Sequence, residues 1–138
     1  MKKRSTSNKK MMDERFEVKR SSIKGAGKGL FAKKAIRPGD TIGHYTGKML
    51  TDRQTERKPY SESVYIMWVC KDHNILGEGP LANHTRYINH KSRPNGQIVT
   101  SNRWKTARIE AIKHIRAGQE VFIDYGPDYW ADEDPSTG

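Results

Sequence analysis

The stretch RYINHKSRPN, residues 86–95, places an arginine and a tyrosine before an Asn-His pair and closes on a Pro-Asn turn. Alone it admits two plain readings. It fits a basic surface loop that touches nucleic acid, and it fits a bend that Asn95 caps. The remainder of the chain decides whether Asn89 and His90 do more.

At 138 residues and 15.8 kDa the chain has room for one domain with a single modest core. Its longest uncharged apolar run, Val64 to Cys70, is far shorter than the ~20 residues of a membrane span. MKKRSTSNKK lacks the apolar stretch of a secretory signal, so the expectation is a soluble, intracellular protein. A single cysteine, Cys70, leaves no internal disulfide and no thiolate-rich zinc site, and its apolar neighbours mark it as a small buried hydrophobe. His44, His73, His84, His90 and His114 show no zincin spacing, so no metal is expected.

The net charge is +10, a balance common in nucleic-acid binders. It is unevenly spread. Residues 1–24 hold nine lysines and arginines against three acids, whereas the last eleven residues hold four acids and no cation. Residues 1–13 read as a disordered basic arm, 14–130 as the folded domain, and 131–138 as an acidic flexible tail.

Within the domain the apolar signals are short and strand-like: FEVK, GLFAKKAI, DTIGHYTGKML, VYIMWV, the half-exposed TARIEAIKHI, and EVFIDY, expected to be buried on both faces. TDRQTERKPY suits one or two helical turns ending at Pro59, and PLANHTRYINH suits another short helix. The fold class is therefore mainly β.

Two further motifs frame the opening stretch. In Lys24-Gly25-Ala26-Gly27-Lys28-Gly29 three glycines at alternate positions free the backbone for positive φ and let a ligand approach the main chain. No GKS/T follows, and AKKAIRPGD breaks before a helix forms, which disfavours nucleotide hydrolysis and a dinucleotide fold. The last motif, GQEVFIDYG, reads by itself as a strand leaving a turn at Ala117-Gly118.

KGAGKGLFA, IGHYTGKML, LANHTRYINHKSRPN and GQEVFIDYG, in this order, resemble the SET domain of protein lysine methyltransferases. The likeness runs from Phe16 to Trp130, and four motifs in register are far more specific than any one. The absence of flanking cysteine-rich segments and the ending GPDYW make the chain resemble the minimal stand-alone SET proteins of viruses and bacteria.

The resemblance implies small twisted sheets around a C-terminal pseudoknot in which the Asn89-His90 and Tyr125 stretches thread together. It implies S-adenosyl-L-methionine as cofactor, held by main-chain contacts from Lys24, Gly25, Ala26, Gly27, Lys28 and Gly29 and by Asn89 and His90. Arg86 and Tyr87 would support the pocket wall, and Trp130, with Tyr129, would lie over the adenine. Tyr125 corresponds to the catalytic tyrosine and Tyr65 to a channel tyrosine. Tyr45, Tyr65, Phe122, Ile123 and Tyr125 would line the channel for the substrate lysine. Where the family usually reads Asn-His-Ser-Cys, this chain has Asn89-His90-Lys91-Ser92, a change at the pocket's rim.

The implied partner is a protein with a basic, lysine-containing flexible segment, of the histone or histone-like class. The rival reading is a catalytically silent SET-like module that uses its basic charge for weak nucleic-acid contact. Tyr125, Asn89 and His90 are all present, and a silent copy would be free to lose them.

Overall fold

A computed structural model describes residues 13–124. Ten short strands dominate: β1 (Phe16–Arg20), β2 (Lys28–Ala32), β3 (Thr41–His44), β4 (Lys48–Leu50), β5 (Ile66–Cys70), β6 (His73–Leu76), β7 (Asn89–His90), β8 (Gly96–Ser101), β9 (Thr106–Ala111) and β10 (Phe122–Ile123). They form three small sheets ordered β1-β2, β3-β9-β8-β10-β7 and β4-β6-β5. The expected mainly β class is what is found.

The helical expectations resolve into single turns. Asp52–Thr55 forms α1, opened by a capping box in which the Thr51 hydroxyl accepts from the Gln54 N–H and the Gln54 side chain accepts from the Thr51 N–H. Pro59 precedes a 3₁₀ turn at Tyr60–Glu62, and PLANHTRYINH yields a 3₁₀ turn at His84–Tyr87. The second stops at Ile88 because the next two residues pair as β7.

One feature decides the topology. β10 lies between β7 and β8, parallel to both, although those two strands are consecutive in the chain. The connection between them wraps β10: the Lys91 N–H donates to the Ile123 carbonyl at 3.0 Å and the Asn95 N–H to the Phe122 carbonyl at 3.3 Å. The Asn95 side chain completes the wrap, donating to the Glu120 carbonyl (2.8 Å) and accepting from the Phe122 N–H (2.8 Å). Asn95 therefore clamps a strand from elsewhere in the chain instead of capping its own bend. Among its described residues EVFIDY is shorter than expected as a strand: Phe122 and Ile123 form β10, both side chains buried, while Glu120 makes a single antiparallel bridge to Phe31 of β2.

The main core gathers Phe16, Leu30, Ile36, Ile42, Ile88, Ile109, Ile115, Val121 and Ile123 from all parts of the chain. Alternation explains β9, whose Ala107, Ile109 and Ala111 point inward while the residues between are less buried. A smaller cluster of Val69, Cys70, Ile75 and Ala107 joins the third sheet to the second, and Cys70 is the buried hydrophobe expected. Strands β6 and β8 went unforeseen. β6 opens on polar residues, and its Asn74 is buried because its amide donates to the Leu50 carbonyl (3.2 Å) and to Asp52 (2.8 Å).

Candidate active site

The glycine-rich segment is the turn of the β1–β2 hairpin. Gly25 and Gly27 have φ of +85° and +76°, and a Cβ added to either would meet nothing within 4 Å, so the turn requires glycine and leaves its main chain open. Gly29 differs from the expectation of positive φ throughout. It lies buried on β2, and a Cβ there would run into the carboxylate of Glu120.

Glu120 is 5% exposed and has four donors around it. Oε2 accepts from the Ser21 hydroxyl (2.7 Å) and the Asn89 amide (3.3 Å), and Oε1 from the Ser22 N–H (2.8 Å) and hydroxyl (2.6 Å). Burial pushes the pKa up, but the hydrogen bonds from Ser22, Ser21 and Asn89 outweigh it and hold the carboxyl below the ordinary glutamate value. Asn89 also donates to the Lys28 carbonyl at 3.0 Å. One amide thus ties β7 to the glycine hairpin and to the segment entering β10. Next to it, His90 Nδ1 stands 3.9 Å from Asp124 Oδ1.

A second network orders the aromatic wall. The Tyr65 carbonyl accepts from the Tyr45 hydroxyl (2.6 Å) and from the Gly77 N–H (2.9 Å). Arg86 Nε donates to the Gly77 carbonyl at 2.6 Å, which sets its guanidinium 4.4 Å from the Tyr65 ring centroid and 4.9 Å from that of Tyr87. Gly77 leaves room for this arrangement, because a Cβ there would strike the Tyr45 hydroxyl.

Both networks border one cavity of about 950 Å³. It is lined by Ala26, Tyr45, Tyr65, Arg86, Asn89, Ile123 and Asp124, with Ile66, Met67, Val69, Ile88 and Ile98 as its apolar wall. The mixture of a large apolar surface with a few convergent polar groups is that of small-molecule sites. Of the β1–β2 turn, Ala26 reaches the cavity, and Asn89, Arg86 and Asp124 bring an amide, a cation and a carboxylate to it.

Of the residues singled out from sequence, Ala26, Tyr45, Tyr65, Arg86, Asn89 and Ile123 meet at this cavity. Lys24, Gly25, Gly27, Lys28, Gly29, Tyr87 and His90 are not in its lining, although Lys28 supplies the carbonyl that holds Asn89. Phe122 does not line it either. Successive strand residues face opposite ways, so with Ile123 toward the cavity the Phe122 ring turns to the other face, where Lys91 Nζ lies 4.9 Å from its centroid. Tyr125 and Trp130 lie outside the described residues. Sequence reading missed Glu120 and Trp68. Trp68 lines the cavity yet is 54% exposed, and an indole on an otherwise apolar strand was its only signal.

The SET domain family model matches residues 27–126, which includes the hairpin end, the Asn89-His90 strand and β10. The chain belongs to the SET domain family. Among curated relatives, this SET chain is 27% identical over 122 residues to histone-lysine N-methyltransferase EZH2 of Chaetomium thermophilum, covering 80% of the chain and 8% of that protein. It is 30% identical over 110 residues to histone-lysine N-methyltransferase NSD3 of Mus musculus, covering 74% and 8%. To histone-lysine N-methyltransferase 2B of Homo sapiens the identity is 29% over 123 residues, covering 85% and 4%. The chain thus spans less than a tenth of the length of these relatives.

Proposed function

We propose that this SET protein is an S-adenosyl-L-methionine-dependent protein-lysine N-methyltransferase acting on a basic flexible segment, with a histone or histone-like tail as the fitting substrate class. The observation that carries the reading is the threaded pair β7 and β10, which brings Asn89 and Ile123 to one cavity walled by Tyr45, Tyr65 and Arg86. Family membership and relatives named as histone-lysine N-methyltransferases support it.

S-adenosyl-L-methionine, when bound, supplies an electrophilic methyl group on a positively charged sulfonium. Asn89 and the Lys24 to Gly29 turn would hold it, with Arg86 and Asp124 at the wall and His90 behind. The chain's remaining task is to deliver a neutral amine in line. Free lysine, with a pKa of about 10.4, is almost wholly charged at neutral pH. The apolar wall of Ile66, Met67, Val69, Ile88 and Ile98 disfavours the ammonium by desolvation, and the fixed guanidinium of Arg86 beside Tyr65 disfavours it further. Tyr45 and Tyr65 give aromatic surface for the aliphatic stem of the lysine. Tyr125, by resemblance, directs its hydroxyl at the amine and orients it for transfer. Ile123 brings no hydroxyl to restrain that amine, which favours di- or trimethylation.

The test is methyl transfer from labelled cofactor to core histones, with products located by mass spectrometry. Wild type is expected to methylate lysine, and Tyr125→Phe to lose at least ~100-fold in rate while retaining its fold, the scale of a positioned polar group in a transition state. Full activity in Tyr125→Phe would overturn its assignment, and an inactive wild type that binds cofactor would overturn the substrate class.

A further inference from the structure

Two loops that the cavity does not use lie side by side. Residues 33–40 connect β2 to β3 and residues 112–119 lead from β9 towards β10. An antiparallel bridge joins them at Ile36 and Ile115, with reciprocal N–H to carbonyl bonds of 2.8 and 2.9 Å. Both side chains are buried, at 1% and 0% exposure, so the loops are pinned to the core from beneath. Further rungs run from the Ala32 N–H to the Gln119 carbonyl (2.9 Å), from the Gly118 N–H to the Ala32 carbonyl (2.7 Å) and from the Gly39 N–H to the Ala111 carbonyl (2.8 Å).

With the isoleucines turned inward, the cations are left outside. Lys33, Lys34 and Arg37 on one loop and Lys113, His114 and Arg116 on the other are all exposed. The only acid on either loop is Asp40, whose carboxylate accepts the Arg37 N–H at 3.0 Å. Among the described residues none of the five lysines and arginines forms an ion pair; Arg15, which touches the patch through its carbonyl, is already neutralised by Asp13 at 2.7 Å. Five unpaired cations on two loops whose main chains are hydrogen-bonded to each other attract polyanions without the backbone having to fold on binding. A protein partner would require an apolar or aromatic centre depleted in lysine, and Ile112, 41% exposed at the margin, is the only large apolar side chain exposed on the two loops.

We infer that the paired loops, through Lys33, Lys34, Arg37, Lys113 and Arg116, form a docking surface for the phosphate backbone of double-stranded nucleic acid. None of these residues lines the cavity, so the surface is independent of methyl transfer.

The experiment is a fluorescence-anisotropy titration of a short mixed-sequence DNA duplex with the full chain at a series of salt concentrations. The patch variant is K34A/K113A/R116A; the control is R53A/R57A/K58A, which removes the same charge from exposed positions outside the patch. Circular dichroism confirms that both are folded. The patch variant is expected to bind at least ~10-fold more weakly at moderate salt and to lower the slope of log affinity against log salt by about 2 to 3, while the control changes affinity less than about twofold. Equal losses in the two variants would show delocalised charge attraction and overturn the inference. So would undiminished binding by the patch variant, no duplex binding by wild type, or tighter binding of wild type to phosphatidylserine vesicles or polyglutamate than to the duplex.

Discussion

Glu120 shows how one buried carboxylate can organise a site. A buried charge is costly unless its oxygens are occupied, and here Ser21, Ser22 and Asn89 occupy them from two separate parts of the chain. Glu120→Gln keeps the volume but turns an amide N–H toward hydroxyl and N–H donors. The expected loss is about 1.5–3 kcal/mol in urea unfolding, together with weaker cofactor binding as Asn89 loses an acceptor. Unchanged stability would mean that the four hydrogen bonds contribute nothing net. Glu120 was not legible as a site residue, because in GQEVF a glutamate after a turn reads as solvent-facing and only the fold brings Ser21 and Ser22 to it. Phe122 stands off the cavity for a related reason: the likeness identifies the strand, but the direction of each side chain depends on which face of a two-residue strand meets the cavity.

At the scale of elements, the His84–Tyr87 turn stitches the first two sheets together. His84 is 5% exposed and stacks on Phe16 at 5.5 Å between centroids, and its Nε2–H donates to the Ile42 carbonyl at 2.9 Å. Nδ1 is buried with no hydrogen-bond partner among the described residues. Burial depresses the imidazole pKa, against smaller upward pulls from the Ile42 carbonyl and Asp13. A depressed folded pKa means that the unfolded chain takes up the proton first. The stabilising contribution is then complete above the unfolded value of about 6.5 and declines as pH falls through it towards the folded value. Stability is therefore expected to fall as pH drops below about 6.5, by at most about 1.4 kcal/mol per pH unit, and His84→Gln is expected to flatten that decline. A pH series of urea unfolding curves in which the variant keeps the full decline would assign it to other groups. The same sign applies to Glu120, whose contribution fades only below the ordinary glutamate value of 4.5. Local signals located this turn as helical but not its burial, since His84 lies in a polar run whose apolar setting comes from Phe16 and Ile42, far away in sequence.

Over the whole molecule, local pattern and family likeness told different things. Period-two alternation suffices for β9, and short apolar runs mark β1, β2 and β5, but no local rule leads to a C-terminal strand inserted between β7 and β8. That came from four motifs in order, and the Asn95 clamp supplies its physical basis. The threading also explains why the cavity joins distant residues, since it brings Asn89 and Ile123 within reach of the β1–β2 turn and of β5. Part of the positive charge is gathered on the unpaired two-loop patch, and Arg86 is fixed at the site by its bond to the Gly77 carbonyl.

The central claim is that this threaded cavity holds S-adenosyl-L-methionine through Asn89. Isothermal titration calorimetry of the cofactor into wild type and Asn89→Ala tests it most directly. The account predicts saturable one-to-one binding to wild type and at least ~10-fold weaker binding to the variant, about 1.4 kcal/mol or more. Absence of binding to folded wild type would contradict it, as would equal affinity in the two proteins.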